Sequence, residues 1–146
     1  MAIEYTLEIA GPAQCDTLAT RLCSIPGYRC TTEGVISSGL HVYISQPGPL
    51  EVEMTKEEFG FTPTASVTFR RDKEADPVMV RMSLLRGCMA LLEENTEGAV
   101  LLFNGETVIL LRRNGKLVLN PVDGFWTDEV IVLISAPYEF EHIESI

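Results

Sequence analysis

The spacing of polar and apolar residues changes period several times along this chain. Ile3 to Ile9 alternates Ile-Glu-Tyr-Thr-Leu-Glu-Ile. Ile3, Tyr5, Leu7 and Ile9 therefore share one face, which predicts a half-buried strand. Gly11-Pro12 breaks that pattern. Cys15, Leu18, Ala19, Leu22 and Cys23 then recur at helical spacing on a single face. Pro26-Gly27 closes the helix, and strands are expected over 28–33 and 35–45, the second containing Leu40, Val42 and Ile44.

Residues 46–64, "QPGPLEVEMTKEEFGFTPT", interrupt the order. Pro47, Gly48, Pro49 and Pro63 predict a long loop, a feature that in a compact domain is usually functional or mobile. Thr55-x-x-Glu58 has capping-box form, yet Gly60 leaves room for only one short helical turn. The exposed candidates are Glu51, Glu53, Glu57 and Glu58. Phe59 and Phe61 either join them or pin the loop to the core. Ala65 to Arg71 reads as a strand. Asp76-Pro77 is a helix start, with Asp as cap and Pro in the first turn. That helix should run to about Glu94 with Val78, Met82, Leu85, Met89 and Leu92 as its buried stripe and Cys88 beside it. Gly87 sits mid-helix at a cost of ~1 kcal/mol, which predicts close packing against another element.

Asn104-Gly105 and Asn114-Gly115 bracket Glu106 to Arg113. Asn-Gly is the cheapest pair for a type I′ hairpin turn, because both central residues need positive φ. The prediction is a three-stranded antiparallel meander over 98–103, 106–113 and 116–120. Strict alternation on the middle strand sets Thr107, Ile109 and Leu111 against Glu106, Val108 and Leu110. Both faces are apolar at the centre, so both need cover. The 77–94 helix, at ~1.5 Å per residue, is about as long as that strand and can lie along one face. The other face is left for the long loop, the tail or a partner. A last strand is expected near 129–134. The fold class that follows is α+β: a two-layer, mostly antiparallel sheet with two main helices on one face and a C-terminal three-stranded meander, in one domain over 1–146.

Composition narrows the function classes. The chain has 146 residues, 46% of them hydrophobic and 22% charged, which is enough for one self-sufficient core. No apolar run approaches the ~18 residues of a membrane span. The opening "MAIEYTLEIAG" lacks a basic n-region, so no secretion signal is expected and the setting is cytoplasmic. The net charge of −10 repels nucleic acid and anionic membranes and suits a basic partner. Acid is concentrated late: 121–146 holds Asp123, Asp128, Glu129, Glu139, Glu141 and Glu144 and no Lys or Arg.

The residues carry no recognisable catalytic constellation: no G-x-S-x-G, H-E-x-x-H, Walker loop or G-x-G-x-x-G. Cys15, Cys23, Cys30 and Cys88 form no C-x-x-C pair. In a reducing compartment all four are expected as free thiols, Cys15 and Cys23 in the core. Cys30 and His41 fall on strands that can be neighbours, but nothing supplies the electropositive setting of a catalytic thiol. His41 and His142 match no ligand spacing. No catalytic residue, metal or cofactor is expected. On residues alone this is an acidic binding module, the alternative being a small enzyme or ligand-binding α+β domain with a pocket between helices and sheet.

Three segments add a family resemblance. "EEFGFTPTASVTFRRDK" (57–73), "GAVLLFNGETVILLRRNGKLVLN" (98–120) and Phe125-Trp126 resemble the Sit immunity family, antidotes of bacterial toxin–immunity pairs named for swarming-inhibition systems. The opening "MAIEYTLEIA" is also similar, and the likeness follows chain order over most of the length. It implies a non-enzymatic, stoichiometric inhibitor of a cognate toxin domain, with no nucleic acid and no membrane as partner. The acidic, aromatic-bearing segments are the expected contact: Glu57, Glu58 and Phe59 in the long loop, and Trp126, Asp128 and Glu129 after the meander. Trp126 is either an interface anchor or a lid over the open sheet face.

Overall fold

In a computed structural model, residues 3–144 are described. The centre of the fold is β1 (Glu4–Ile9), flanked antiparallel by β5 (Ala65–Arg71) and β6 (Ala99–Phe103). β2 (Arg29–Thr31), β3 (Gly34–Ser37) and β4 (Leu40–Ser45) extend the sheet beyond β5, while β7 (Thr107–Arg113), β8 (Lys116–Leu119) and β9 (Tyr138–Phe140) extend it beyond β6. Among the described residues the sheet has nine strands, ordered β2-β3-β4-β5-β1-β6-β7-β8-β9. Only the β8–β9 pairing is parallel. The α+β, mostly antiparallel architecture is the one expected. Residues 35–45, read as one strand, instead form β3 and β4, joined at Gly39, whose φ is +72°.

The two main helices, α1 (Cys15–Cys23) and α3 (Pro77–Glu94), cover one face. Asp76 caps α3 as its sequence predicts, its Oδ1 accepting from Val78 N at 2.9 Å and Met79 N at 3.4 Å. Of the predicted stripe, Leu85, Met89 and Leu92 are buried, Val78 and Met82 only partly so, and the buried side is wider. Val80, Leu84, Cys88 and Leu91 are all fully inside, because α3 packs on the sheet and is flanked by α1 and α4. Gly87 faces Tyr28, whose hydroxyl donates to Ser83 O at 2.5 Å. A Cβ at Gly87 would stand 2.5 Å from that hydroxyl oxygen, which accounts for a glycine in mid-helix.

The second face is where the sequence reading needed correction. Residues 49–59 are not loop but helix α2 (Pro49–Phe59), and it lies on the face away from α1 and α3. Phe59, Val100, Leu102, Val108 and Leu111 form a separate small core there, with Met54, Phe61 and Ile143 against it. Strict alternation on β7 also fails. Leu101 pairs with Leu110 but Leu102 pairs with Val108, so Ile109 is bulged out of register. The bulge turns Ile109 and Leu110 into the main core and Val108 and Leu111 into the second one. Two covered faces explain the apolar middle strand. The strand expected near 129–134 is instead the short helix α4 (Asp128–Ile131), with β9 following it.

Both hairpin turns have the predicted geometry. Asn104 and Gly105 sit at φ 50° and 73°, Asn114 and Gly115 at 54° and 74°. Neither glycine has an atom within 4 Å of a built Cβ, so a side chain there meets backbone strain and no clash. Gly105→Val and Gly115→Val will each cost about 1–3 kcal/mol, read as a lowered denaturant midpoint with unchanged slope.

The cysteine expectation is overturned in part. Cys23 and Cys30 are disulfide-bonded, while Cys15 and Cys88 are free. The reason is local: α1 ends at Cys23, the chain reverses through Pro26-Gly27, and β2 returns Cys30 to within a Cα–Cα distance of 5.7 Å. Thiol titration in denaturant without reductant should therefore give two thiols and not four. Cys88 should react only after unfolding, since it is fully buried and burial drives its thiol pKa upward.

Candidate functional site

Helix α2 presents an acidic surface. Gly48 precedes it, Pro49 takes its first turn, and Gly60 ends it at φ 79°, donating its N–H to Lys56 O at 3.1 Å. Thr55 and Phe59, four apart, face the sheet. Glu51, Glu53, Glu57 and Glu58 remain exposed, with Lys56 the single base among them. These features were readable in principle. Pro just inside the start and Gly just past the end is the asymmetry of a helix; the prolines at 47, 49 and 63 masked it.

The six expected contact residues divide between the two faces of the sheet. Glu57 and Glu58 are together and exposed on α2. Phe59, beside them in sequence, is only 5% exposed and belongs to the second core; it holds α2 down. Asp128 and Glu129 are exposed in the first turn of α4, on the face that α3 covers. The backbone N–H of Glu129 there holds its own carboxyl below the usual range. Trp126 is half-buried against the main core. Its Nε1 donates to Asn120 O at 2.8 Å, and its ring meets Phe125 edge-on at 4.7 Å and Phe140 at 6.5 Å. Trp126 thus packs on the face of α3 and α4 and not over the open sheet face, which α2 covers. Asn120 also pins the tail, with Nδ2 donating to Val108 O at 2.7 Å and Oδ1 accepting from Ile143 N at 3.1 Å.

A feature the sequence did not reveal lies under the N-terminal turn of α2. Glu8, on the α2 side of β1, is a carboxylate only 2% exposed. Its cross-strand partner Ser66 donates a hydroxyl to Oε1. Oε2 has no hydrogen-bond partner among the described residues. Burial, with a smaller push from the nearby Glu51, raises the Glu8 pKa above its ordinary range. Glu8 borders a half-open cavity of about 310 Å³ together with Thr6, Ser45, Glu51, Ser66 and Thr68. No Lys, Arg or His lines it. The alternating pattern predicted that Glu8 would face away from the main core, but nothing in it signalled that α2 would fold over the carboxylate.

With a raised folded pKa, it is between the unfolded and the folded values that the native state holds a proton the unfolded chain has released. Stability is therefore lost as pH rises from the unfolded value through the folded one. Glu8→Gln should gain stability over wild type at pH 7, and the gain should vanish below the ordinary carboxylate pKa of 4.5. Paired thermal melts across pH 4–8 will read this.

Cys30 is in the disulfide with Cys23, so it forms no thiol pair with His41. Among the described residues no group of three or more His, Cys, Asp or Glu could hold a metal ion, and no helix is long and apolar enough to cross a membrane. The fold and site thus define an acidic α+β protein with a helix-covered second face and a negatively lined cleft. The chain belongs to the SitI3-like family, whose model matches residues 3–130. That family places it among the immunity proteins of toxin–immunity systems. No curated protein and no solved structure matches the chain.

Proposed function

We propose that this protein is a cytoplasmic immunity protein that neutralises a cognate antibacterial toxin by binding it stoichiometrically, without catalysis, as one immunity domain. Membership of the SitI3-like family carries the class. The acidic surface of α2 supports the mode of binding: Glu51, Glu53, Glu57 and Glu58 stand exposed on one helix of a chain with net charge −10. The partner is accordingly a basic toxin domain, steered onto the helix by its charge. Glu57 and Glu58 form the contact, with Phe59 fixing their helix from beneath. Asp128 and Glu129, beside Trp126, strengthen the field from the far face. A buried area of ~1,600 Å² is the expectation for a complex of this kind.

The test is co-expression with the toxin domain encoded beside this gene. Protection of the host cell together with a 1:1 complex on size-exclusion chromatography with light scattering is the expected result. A toxin that kills equally with and without the protein, and does not co-elute with it, overturns the reading.

A further inference from the structure

We propose that the cleft under the first turn of α2 is a binding site for one alkylguanidinium group, with the Glu8 carboxylate as its counter-ion. Three observations carry this. First, Glu8 is buried with Oε2 unpartnered among the described residues. A buried carboxylate oxygen without a donor is costly, and a ligand that brings an N–H removes the cost. Second, the cleft offers acceptors and no base. Thr6, Ser45, Ser66 and Thr68 line it with hydroxyl-bearing side chains beside Glu8, and Glu51 is the second acid. A guanidinium has five N–H donors and no acceptor, so it can use several of these oxygens at once. It is also less strongly hydrated than an ammonium, which favours it in a half-closed site. Third, an anion is disfavoured. The N-terminus of α2 would attract one, but the Glu51 carboxylate already lies against Gly48 at that terminus. About 310 Å³ accommodates a planar guanidinium and part of its stem.

In the neutralised complex the guanidinium would be an arginine of the toxin, reaching past the acidic surface of α2. That source rests on the neutralisation reading; the site itself does not.

The test therefore uses no toxin. The full chain, carbon-13 labelled at the glutamate carboxyls, is titrated with N-propylguanidinium chloride and followed by NMR. N-propylurea is the uncharged isostere and N-propylammonium the alternative cation. The expected result is a saturable shift at the Glu8 carboxyl and at the amides of 6–9 and 46–51. N-propylurea should give no response, and N-propylammonium should bind several-fold more weakly. Glu8→Gln keeps the shape of the side chain and should weaken binding by roughly tenfold or more, as expected for loss of a charged acceptor. Glu51→Gln, at an exposed position, should weaken it by about threefold. Shifts that stay linear in concentration, spread over all the acidic residues and persist in Glu8→Gln overturn the site. So does an equal response to N-propylurea. A toxin partner that fails to bind would leave this titration unchanged, so the two readings fail separately.

Discussion

Gly87→Val will destabilise the protein by about 3–5 kcal/mol, a large share of the ~5–15 kcal/mol that holds a domain of this size. The native helix brings Gly87 against the Tyr28 ring: a Cβ would lie 2.5 Å from Oη and 3.0 Å from Cζ, with Leu22 Cδ2 at 3.3 Å. Valine adds two methyls beyond that Cβ. Tyr28 is buried and cannot yield without giving up its packing and its bond to Ser83 O. Overpacking contributes about 1–3 kcal/mol and the lost hydrogen bond about 1 kcal/mol. Exposing the ring contributes the rest. Gly87→Ala separates sterics from helix propensity. Alanine should gain ~1 kcal/mol in an unobstructed helix, yet here the net effect should be a loss. Tyr28→Phe removes the nearest atom, so Gly87→Ala should be better tolerated in that background. A double-mutant cycle by urea denaturation reads the coupling, expected at about 1 kcal/mol or more. Wild-type melting of Gly87→Val would refute the packing of Tyr28 on α3.

How much of this was legible depended on whether local chemistry or tertiary contact decided the element. The Asn-Gly turns, the Asp76 cap and the alternation of β1 are decided locally, and they stand where the sequence puts them. Gly87 announced close packing without naming Tyr28. The elements that were misread depend on contacts distant in the chain. Helix α2 has an apolar side of only Met54, Thr55 and Phe59, and its partner strands come some forty residues later. Its prolines made the local signal that of a loop. The 129–134 segment is β-branched, but Val130 faces the main core from a single helical turn; burial there overrode strand propensity. The bulge at Ile109 is invisible to a two-residue period, because only the need to feed two cores reveals it. Of the site, the acidity of Glu57 and Glu58 was plain, and so was the aromatic run at Phe125-Trp126. The division of the six residues between opposite faces was not, since nothing local says on which side of the sheet α2 lies. For the same reason Glu8 passed as an ordinary polar position on a strand.

That division makes the binding surface testable with a built-in control. Glu57→Lys with Glu58→Lys changes the net charge from −10 to −6, two units per reversal. Asp128→Lys with Glu129→Lys changes it by the same amount. The two double variants therefore exert nearly the same pull at long range and differ in which face they disturb. A sheet layer plus a helix layer separates the patches by about 20 Å, more than the ~8 Å Debye length at physiological salt. At that salt each patch acts on a docked partner only locally. For the toxin domain, the α2 pair should lower the association rate by about tenfold or more and flatten its salt dependence, because reversal adds repulsion where attraction stood. The α4 pair should lower it by only about twofold at physiological salt, and the two variants should converge as salt is reduced toward ~0.01 M, where the Debye length reaches ~30 Å. Stopped-flow association over a salt series measures both slopes. Thermal melts guard against misfolding: the α2 pair is exposed and its midpoint should stay near wild type, while the α4 pair also takes the Glu129 carboxylate from the start of α4 and should melt slightly lower. Equal losses at physiological salt would mean that the toxin spans both faces. A larger loss for Asp128 and Glu129 would move the docking surface to α4 and Trp126, and the α2 contact would be abandoned.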